Sequence, residues 1–314
     1  MRKKGWVDYQ NGNYSVRLNL DDGTKIRDNH RDDDLFLAKY PEAMDVTITS
    51  KCNMGCKMCY AGCTKDGQNA DLNAPWFNKL RPYTELAIGG GNIFEHPDLE
   101  EFLMRCARKQ LVPSITVNQQ HFCEHFDQVR EWTRKRLVYG VGVSVFNPTP
   151  ELLCGLYCIP NAVLHCIVGV MTPEVLSKFA GWGKKVLLLG YKTTGRGKAY
   201  ETQHDEEIRR NTKAIRASLP HLCQQFETVS FDNLALNQLN VRDFLSEREW
   251  QSFYMGDDGV NGQLTSASMY VDMVSNTFAV NSMSDERFFI RPNDTPKSMY
   301  AFLRKRCEEK SASA

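Results

Sequence analysis

Short apolar stretches alternate with amphipathic stretches through the middle of the chain. Six of the apolar stretches are rich in β-branched residues, and a seventh candidate follows them, at residues 44–49, 86–88, 112–118, 138–146, 162–168, 185–189 and 227–231. Strands that are buried on both faces have this nearly continuous apolar character. The pattern therefore predicts a parallel sheet.

The segments between these strands have helical signals. Four apolar residues recur with helical spacing after Pro97, namely Leu99, Phe102, Leu103 and Cys106. Thr149-Pro150 and Thr172-Pro173 each combine an N-cap residue with a proline suited to a first turn, and Gly181 is the expected end of the second of these helices. Strands that alternate with helices predict right-handed crossovers. Six or seven such units favour an α/β fold with a partial (β/α)6 TIM-like barrel over a doubly wound flat sheet, although periodicity alone does not separate the two.

The two ends of the chain have other patterns. Residues 14–20 alternate with period two and a turn leads into residues 25–27, which predicts a small N-terminal β-hairpin. Beyond residue 235 the pattern predicts a helix, a turn cluster, a hairpin and a final helix, at residues 243–253, 256–259, 268–282 and 296–309. We therefore expect three parts: a preamble over 1–42, the barrel over 43–235, and a C-terminal α+β extension over 236–314 that packs on the barrel.

The composition of the chain excludes some classes of function. The 314 residues include 39 basic and 38 acidic side chains, and this balance argues against non-specific nucleic-acid binding. No apolar run approaches the roughly 20 residues that cross a bilayer, and the N-terminus lacks the apolar core of a signal peptide. We therefore expect a cytoplasmic protein without a membrane partner.

The 11 cysteines are numerous for a cytoplasmic chain. An odd count without an export signal makes a disulfide framework improbable. Four lie close together, at Cys52, Cys56, Cys59 and Cys63. The remaining seven are expected to be small buried hydrophobes: Cys106, Cys123, Cys154, Cys158, Cys166, Cys223 and Cys307.

The clustered cysteines follow the first predicted strand of the barrel with the spacing C-x3-C-x2-C. Cys52, Cys56 and Cys59 would bind three irons of a 4Fe–4S cluster and leave the fourth iron open. With Cys63 as a fourth ligand, the site would instead suit an electron carrier or redox sensor. A zinc site is a further alternative, but such a site usually pairs two cysteine knuckles, and no second knuckle follows here.

This motif, Cys52-x3-Cys56-x-Met58-Cys59 after a first barrel strand, resembles the signature of the radical S-adenosylmethionine (SAM) superfamily. The resemblance implies that the three cysteines hold a 4Fe–4S cluster and that SAM chelates the open iron. It also implies that an electron from an external donor such as flavodoxin or ferredoxin cleaves SAM. The resulting 5′-deoxyadenosyl radical would abstract a hydrogen atom from a substrate.

The resemblance also implies a set of cofactor contacts. Gly89, Gly90, Gly91 and Asn92 resemble the family's Gly-Gly-Glu element, which meets the SAM amino group; Asn92 takes the place of the usual Glu. Ser144 resembles the ribose or carboxylate contact, and Ile167 lies in the adenine-side element. Met58 lies beside the third cysteine, where the family has backbone near the adenine, and Tyr60 would stack on the cofactor or simply pack. Asn118 and Lys192 are polar residues where strands end, at which ligands of such barrels gather. Lys192 and Arg196 would bind a carboxylate or phosphate, or lie in a solvated loop.

The substrate is less constrained than the cofactor. The extension contains only Cys307, so we expect no auxiliary cluster. A peptide or protein side chain is the preferred target, with a nucleotide or another small metabolite as the alternative; family analogy is the only basis for this preference. The N-terminal hairpin and the hairpin at residues 269–282 are both expected to close the barrel mouth. His121 and His125 are expected to be ordinary surface or core residues.

Overall fold

The computed structural model describes residues 5–29, 36–253 and 266–313. Within them, thirteen strands form two sheets: β1 Trp6–Asn11, β2 Tyr14–Asn19, β3 Lys25–Asn29, β4 Ala43–Thr49, β5 Glu85–Gly90, β6 Val112–Asn118, β7 Gly140–Ser144, β8 Ala162–Ile167, β9 Lys185–Leu189, β10 Thr228–Phe231, β11 Ser268–Asp272, β12 Thr277–Ala279 and β13 Phe288–Phe289. All seven strands predicted for the central segment are present. β7 is shorter than expected.

The helices of the described residues are α1 Leu99–Arg108, α2 Gln119–Glu124, α3 Phe126–Arg134, α4 Pro150–Cys158, α5 Pro173–Ser177, α6 Arg196–Gln225, α7 Asn233–Gln238, α8 Glu247–Phe253 and α9 Pro296–Ser313. The side chains of Thr149 and Thr172 cap α4 and α5 as predicted. Helix α5 ends at Ser177, and irregular turns then lead to Gly181, which has a left-handed backbone (φ 82°).

The larger sheet has the strand order β10-β9-β8-β7-β6-β5-β4-β11-β12-β13. From β4 to β10 the strands follow one another in chain order, and every neighbouring pair is parallel. A doubly wound sheet reverses its strand order at a switch point, and no reversal occurs between β4 and β10. The carboxyl ends of these seven strands therefore lie at one edge of the sheet.

The two faces of this sheet differ in chemistry. One face carries the buried apolar residues of each strand, such as Met44, Val46 and Ile48, which belong to the main core. The other, here called the polar face, carries the alternate residues, and these are less buried. Through the strand register it includes Asp45, Ser114, Asn118, Ser144 and His165. Polar side chains on a face that helices do not cover indicate a place where a ligand lies.

The N-terminal segment forms a separate antiparallel sheet of three strands, because β1 joins the predicted hairpin. The expected position at the barrel mouth is wrong. Lys25 and Arg27 pair with Glu42, which precedes β4, and Lys25 also pairs with Glu85 at the start of β5. These ion pairs, together with apolar contacts of Val7, Leu18 and Leu20, place the N-terminal sheet at the amino ends of the strands, on the side away from the cysteine loop.

The C-terminal segment extends the large sheet. Strand β11 pairs in parallel with β4, and β12 and β13 continue the sheet in antiparallel order. The predicted hairpin about Asn276 is present, and Asn276 has the left-handed backbone that such a turn uses (φ 54°). The predicted turn cluster at residues 256–259 lies outside the described residues.

The isolated cysteines do not all belong to the core. Cys106, Cys166 and Cys307 are buried as expected, and Cys123 is half-buried. The expectation is wrong for Cys154, Cys158 and Cys223, which are exposed. Helix α4 buries a different stripe of residues, Leu152, Gly155 and Leu156, so its two cysteines face outward. In the described part of the chain, no helix combines the length and apolar character needed to cross a membrane.

Candidate functional site

The cysteine loop begins where β4 ends and is held by backbone hydrogen bonds to the segment that follows it. The N–H of Cys52 donates to the Thr64 carbonyl (2.8 Å), and that of Thr64 donates to Ser50 (3.2 Å). Gly67 allows the returning segment to pass close to the start of the loop, because a Cβ at this position would lie 2.1 Å from the Ser50 carbonyl oxygen. The loop is therefore closed on itself at the carboxyl edge of the sheet.

The end of β5 packs against the entry of this loop. The N–H groups of Gly91 and Asn92 donate to the carbonyls of Thr49 and Lys51, each at 2.7 Å. A Cβ on Gly91 would lie 2.0 Å from the Lys51 oxygen, and Gly90 has φ 122°, where side chains are strained. The glycines thus allow the end of β5 and the cysteine loop to come into direct backbone contact.

The first turn of α6 packs against the other side of the cysteine loop. Arg196 donates from its backbone N–H to the Cys59 carbonyl (3.0 Å), from Nε to the Cys56 carbonyl (2.9 Å), and from Nη1 to the Cys63 carbonyl (3.0 Å). The sequence suggested that Arg196 binds a carboxylate or phosphate of a ligand. The structure instead commits two of its side-chain nitrogens to the loop backbone.

The thiols of the loop differ in how readily they ionise. Cys63 is buried and hydrogen-bonds to Cys59, and this contact, together with the positive charge of Arg196, lowers the pKa of Cys59 to about 5. The same contact, along with burial, raises the pKa of Cys63. Burial and the neighbouring thiols also raise the pKa of Cys56. The hydrogen bond between the two thiols thus favours the thiolate on Cys59 and the protonated form on Cys63.

Two residues predicted to contact the cofactor have structural roles. Asn92 is buried, and its side-chain oxygen accepts from the Phe94 N–H (3.3 Å) at the start of a short 3-10 helix. The side chain of Asn118 caps α2 by accepting from the Gln120 N–H (2.9 Å). Each remains beside the loop or on the polar face, and cofactor binding by either of them stays a prediction.

Lys192 and Tyr60 meet next to the polar face. The Lys192 ammonium lies 4.1 Å from the centre of the Tyr60 ring and donates to the Ser282 hydroxyl (2.9 Å). Desolvation, followed by the negative charge of Asp45, raises the pKa of Tyr60 to about 12. Desolvation also raises the pKa of Asp45, although the charge of Lys192 opposes that rise. The segment at residues 269–282 thus contributes Ser282 to the site, and closure of the barrel mouth by this hairpin stays a prediction.

His165 is a site residue that the sequence analysis missed. It faces the neighbourhood of Lys192, and its Nδ1 is buried without a hydrogen-bond partner among the described residues. Burial, with a smaller effect from Lys192, lowers the pKa of His165 to about 4, so the imidazole is neutral at physiological pH. A histidine and an aspartate within otherwise apolar strands are the signal that could have identified His165 and Asp45.

The structure brings most of the predicted positions together. Gly89, Asn118, Ser144 and Ile167 are on the polar face near the carboxyl ends of their strands, and Met58, Tyr60 and Lys192 are on the adjacent loops. His121 is buried, and its Nε2 is 2.9 Å from the side-chain oxygen of Asn53 in the cysteine loop. His125 stacks on Phe94.

The cysteines fit an iron–sulfur cluster by their chemistry. Cys52, Cys56 and Cys59 are half-buried thiols on one short loop, and Cys56 and Cys59 are close to the positive charge of Arg196. Among the residues that the structure describes, no group of three or more His, Cys, Asp or Glu side chains is arranged so that it could hold a single metal ion. A cubane has a different requirement, since each cysteine binds a separate iron.

Comparisons with known proteins identify relatives by fold. No protein-family model matches the sequence, and a search of curated proteins gives no significant match. Among solved structures, Streptococcus suis SuiB bound to the precursor peptide SuiA has a TM-score of 0.64 at 10% identity, over 100% of this chain and 91% of that chain. SuiB bound to S-adenosylmethionine has a TM-score of 0.60 at 9% identity, over 96% and 88%.

At such low identity, the likeness to SuiB establishes the fold. This chain is a mixed α/β protein with a large, mainly parallel sheet, and SuiB shares that arrangement over nearly its whole length. SuiB was solved with S-adenosylmethionine bound. The likeness agrees with the α/β fold that the sequence pattern predicted.

Proposed function

We propose that this chain is a radical SAM enzyme that modifies a peptide or protein side chain. One observation carries the proposal: a C-x3-C-x2-C loop lies at the carboxyl edge of a sheet that shares its fold with S-adenosylmethionine-bound SuiB. In this proposal the sheet curves into a partial (β/α)6 barrel over residues 43–235, and the polar face lines its interior.

Cys52, Cys56 and Cys59 would hold one 4Fe–4S cluster, and Cys63 would stay outside the coordination sphere. When reduced, such a cluster supplies the electron that cleaves SAM and yields a 5′-deoxyadenosyl radical. The protein residues have simpler roles. The backbones of Gly89–Gly91 and Met58, with Ser144 and Ile167, would position SAM, while Tyr60 and Lys192 shield the side of the site next to Ser282.

The peptide preference is supported by SuiB, which was solved with its precursor peptide SuiA. A nucleotide or another small metabolite is the alternative substrate class. An external donor such as flavodoxin or ferredoxin would supply the electron in the cytoplasm. With Cys307 as the only cysteine of residues 236–314, one cluster per chain is expected.

Anaerobic reconstitution with iron and sulfide tests the proposal. The reduced protein should convert SAM to methionine and 5′-deoxyadenosine, and SAM should alter the electron paramagnetic resonance spectrum of the cluster. Cys52→Ala, Cys56→Ala and Cys59→Ala should each abolish cleavage. Transfer of deuterium from a labelled peptide into 5′-deoxyadenosine would identify the substrate class; transfer only from a nucleotide would reject the peptide preference.

Cys63→Ala is the matched control for these variants, because it removes a thiol from the same loop. It should keep about four irons per chain and the response to SAM. Loss of the cluster in Cys63→Ala, together with a spectrum insensitive to SAM, would instead identify an electron carrier. Zinc without iron by elemental analysis would identify a zinc module.

A further inference from the structure

The cysteine loop has an anchor on a distant part of the chain. Arg196 donates three hydrogen bonds to three carbonyls of the loop, those of Cys56, Cys59 and Cys63, at 2.9 to 3.0 Å. Two of these residues are proposed cluster ligands. Because one residue contacts the loop at three points, it restrains the loop's shape more than a single contact would.

The residues on both sides of Arg196 keep it against the loop. Gly195 has a left-handed backbone (φ 53°), and a Cβ there would lie 2.4 Å from the Tyr60 carbonyl oxygen. Thr194 donates from its hydroxyl to the same oxygen (3.2 Å). A Cβ on Gly197 would lie 2.3 Å from the Lys192 carbonyl oxygen. The start of α6 is therefore in direct backbone contact with the loop.

The positive charge of Arg196 lies against the backbone of the cysteine loop. Among the described residues, its side chain donates to carbonyl oxygens and forms no ion pair with a carboxylate. Its guanidinium nitrogens are instead hydrogen-bonded to the carbonyls of Cys56 and Cys63, which fixes the positive charge beside the segment that contains Cys56 and Cys59. A cluster on Cys52, Cys56 and Cys59 would become more negative on reduction, so a nearby cation would stabilise the reduced state.

We propose that Arg196 is a positioning residue that holds the cysteine loop in its cluster-binding shape and raises the reduction potential of the cluster. This inference rests on the proposed function, since it assumes a cluster on Cys52, Cys56 and Cys59. It assigns Arg196 to the loop rather than to the carboxylate or phosphate of a ligand.

The test compares Arg196→Gln and Arg196→Lys with the wild type after anaerobic reconstitution. Arg196→Gln should lose iron to a chelator about tenfold faster or more, because it lacks the charge-assisted hydrogen bonds to the loop. Its midpoint potential, measured by redox titration without SAM, should become more negative. Arg196→Lys should lose iron faster than the wild type, because an ammonium lacks the several fixed N–H donors of a guanidinium. Its midpoint potential should stay close to the wild-type value, because the positive charge is retained.

Lys198→Gln is the control, because it removes an exposed positive charge two residues further along α6. It should match the wild type in both measurements. Thermal melting of the cluster-free proteins detects misfolding, and if Arg196→Gln does not fold, the iron-release rate of Arg196→Lys decides. Folded variants with wild-type iron release and midpoint potential would overturn the inference. A wild type that assembles no cluster would instead overturn the proposed function on which it depends.

Discussion

His165 illustrates how one side chain takes its properties from its surroundings. It is in β8, opposite Ser144 of β7 in the strand register, and the protein around it favours the uncharged imidazole. An unfolded chain gives a histidine a pKa of about 6.5. The folded value of about 4 is lower, so between these two values the unfolded state binds more protons than the folded state.

Stability should therefore fall as the pH drops from about 6.5 to about 4, because protonation in this window favours unfolding. We expect the contribution of His165 to reach roughly 2 kcal/mol at the acid end, since the ring is partly open to solvent. His165→Asn should lack this contribution. Urea unfolding of the cluster-free protein at several pH values measures it, and His221→Gln, at an exposed position, is the control. Equal pH slopes for His165→Asn and the wild type would contradict the prediction.

At the scale of elements, strands β7 and β8 fit together because one residue lacks a side chain. The His165 ring reaches back over Gly142 of β7, and a Cβ on Gly142 would lie 2.1 Å from Cε1 of the ring. Gly142 does not have a left-handed backbone. Position 142 therefore requires glycine because the imidazole of His165 occupies the space that a side chain would need.

Gly142→Ala should destabilise the protein by roughly 2 kcal/mol, because the methyl group overlaps the ring. Adding His165→Ala should restore much of this loss, so the two substitutions should couple in a double-mutant cycle of urea unfolding. Gly140→Ala is a matched control on the same strand, where a Cβ would meet only the Ser114 Cβ at 3.4 Å. It should change stability by less than about 1 kcal/mol. Additive effects of Gly142→Ala and His165→Ala would rule out this explanation.

At the scale of the whole molecule, a buried carboxylate joins the N-terminal sheet to the main sheet. Glu42 accepts from Arg27 (2.7 Å) and from the hydroxyl of Tyr14, and Lys25 is 3.2 Å away. Burial opposes ionisation of Glu42, but Lys25 and Arg27 more than offset this effect and lower its pKa. Buried charged side chains thus help to hold the two sheets together.

Glu42→Gln should destabilise the protein by about 3 kcal/mol, because it removes the buried negative charge with which Lys25 and Arg27 both pair. Asp8→Asn is the control in the same N-terminal sheet. It breaks an ion pair with Arg17 (2.8 Å) whose members are both exposed, and it should cost less than about 1 kcal/mol. Urea unfolding midpoints compare the two variants. Similar losses for both would show that burial of Glu42 does not matter for docking.

The sequence by itself determined the strands of the central sheet and the cysteine spacing. Both are local properties: apolar, β-branched runs favour strands wherever they occur, and three thiols within eight residues share a loop in any fold. The N-caps Thr149 and Thr172 were identifiable for the same reason, since a cap acts on the N–H groups of the next few residues.

The tertiary structure decided what depends on residues far apart in the chain. Arg196 meets Cys56 across 140 positions, β11 pairs with β4, and the N-terminal sheet docks at the amino ends of the strands. None of these contacts leaves a periodic or spacing signal, because hydrogen bonds and ion pairs form between whichever groups the folded chain brings together. The cysteine motif was thus readable in the sequence, but the residues that hold the loop and face the site required the fold.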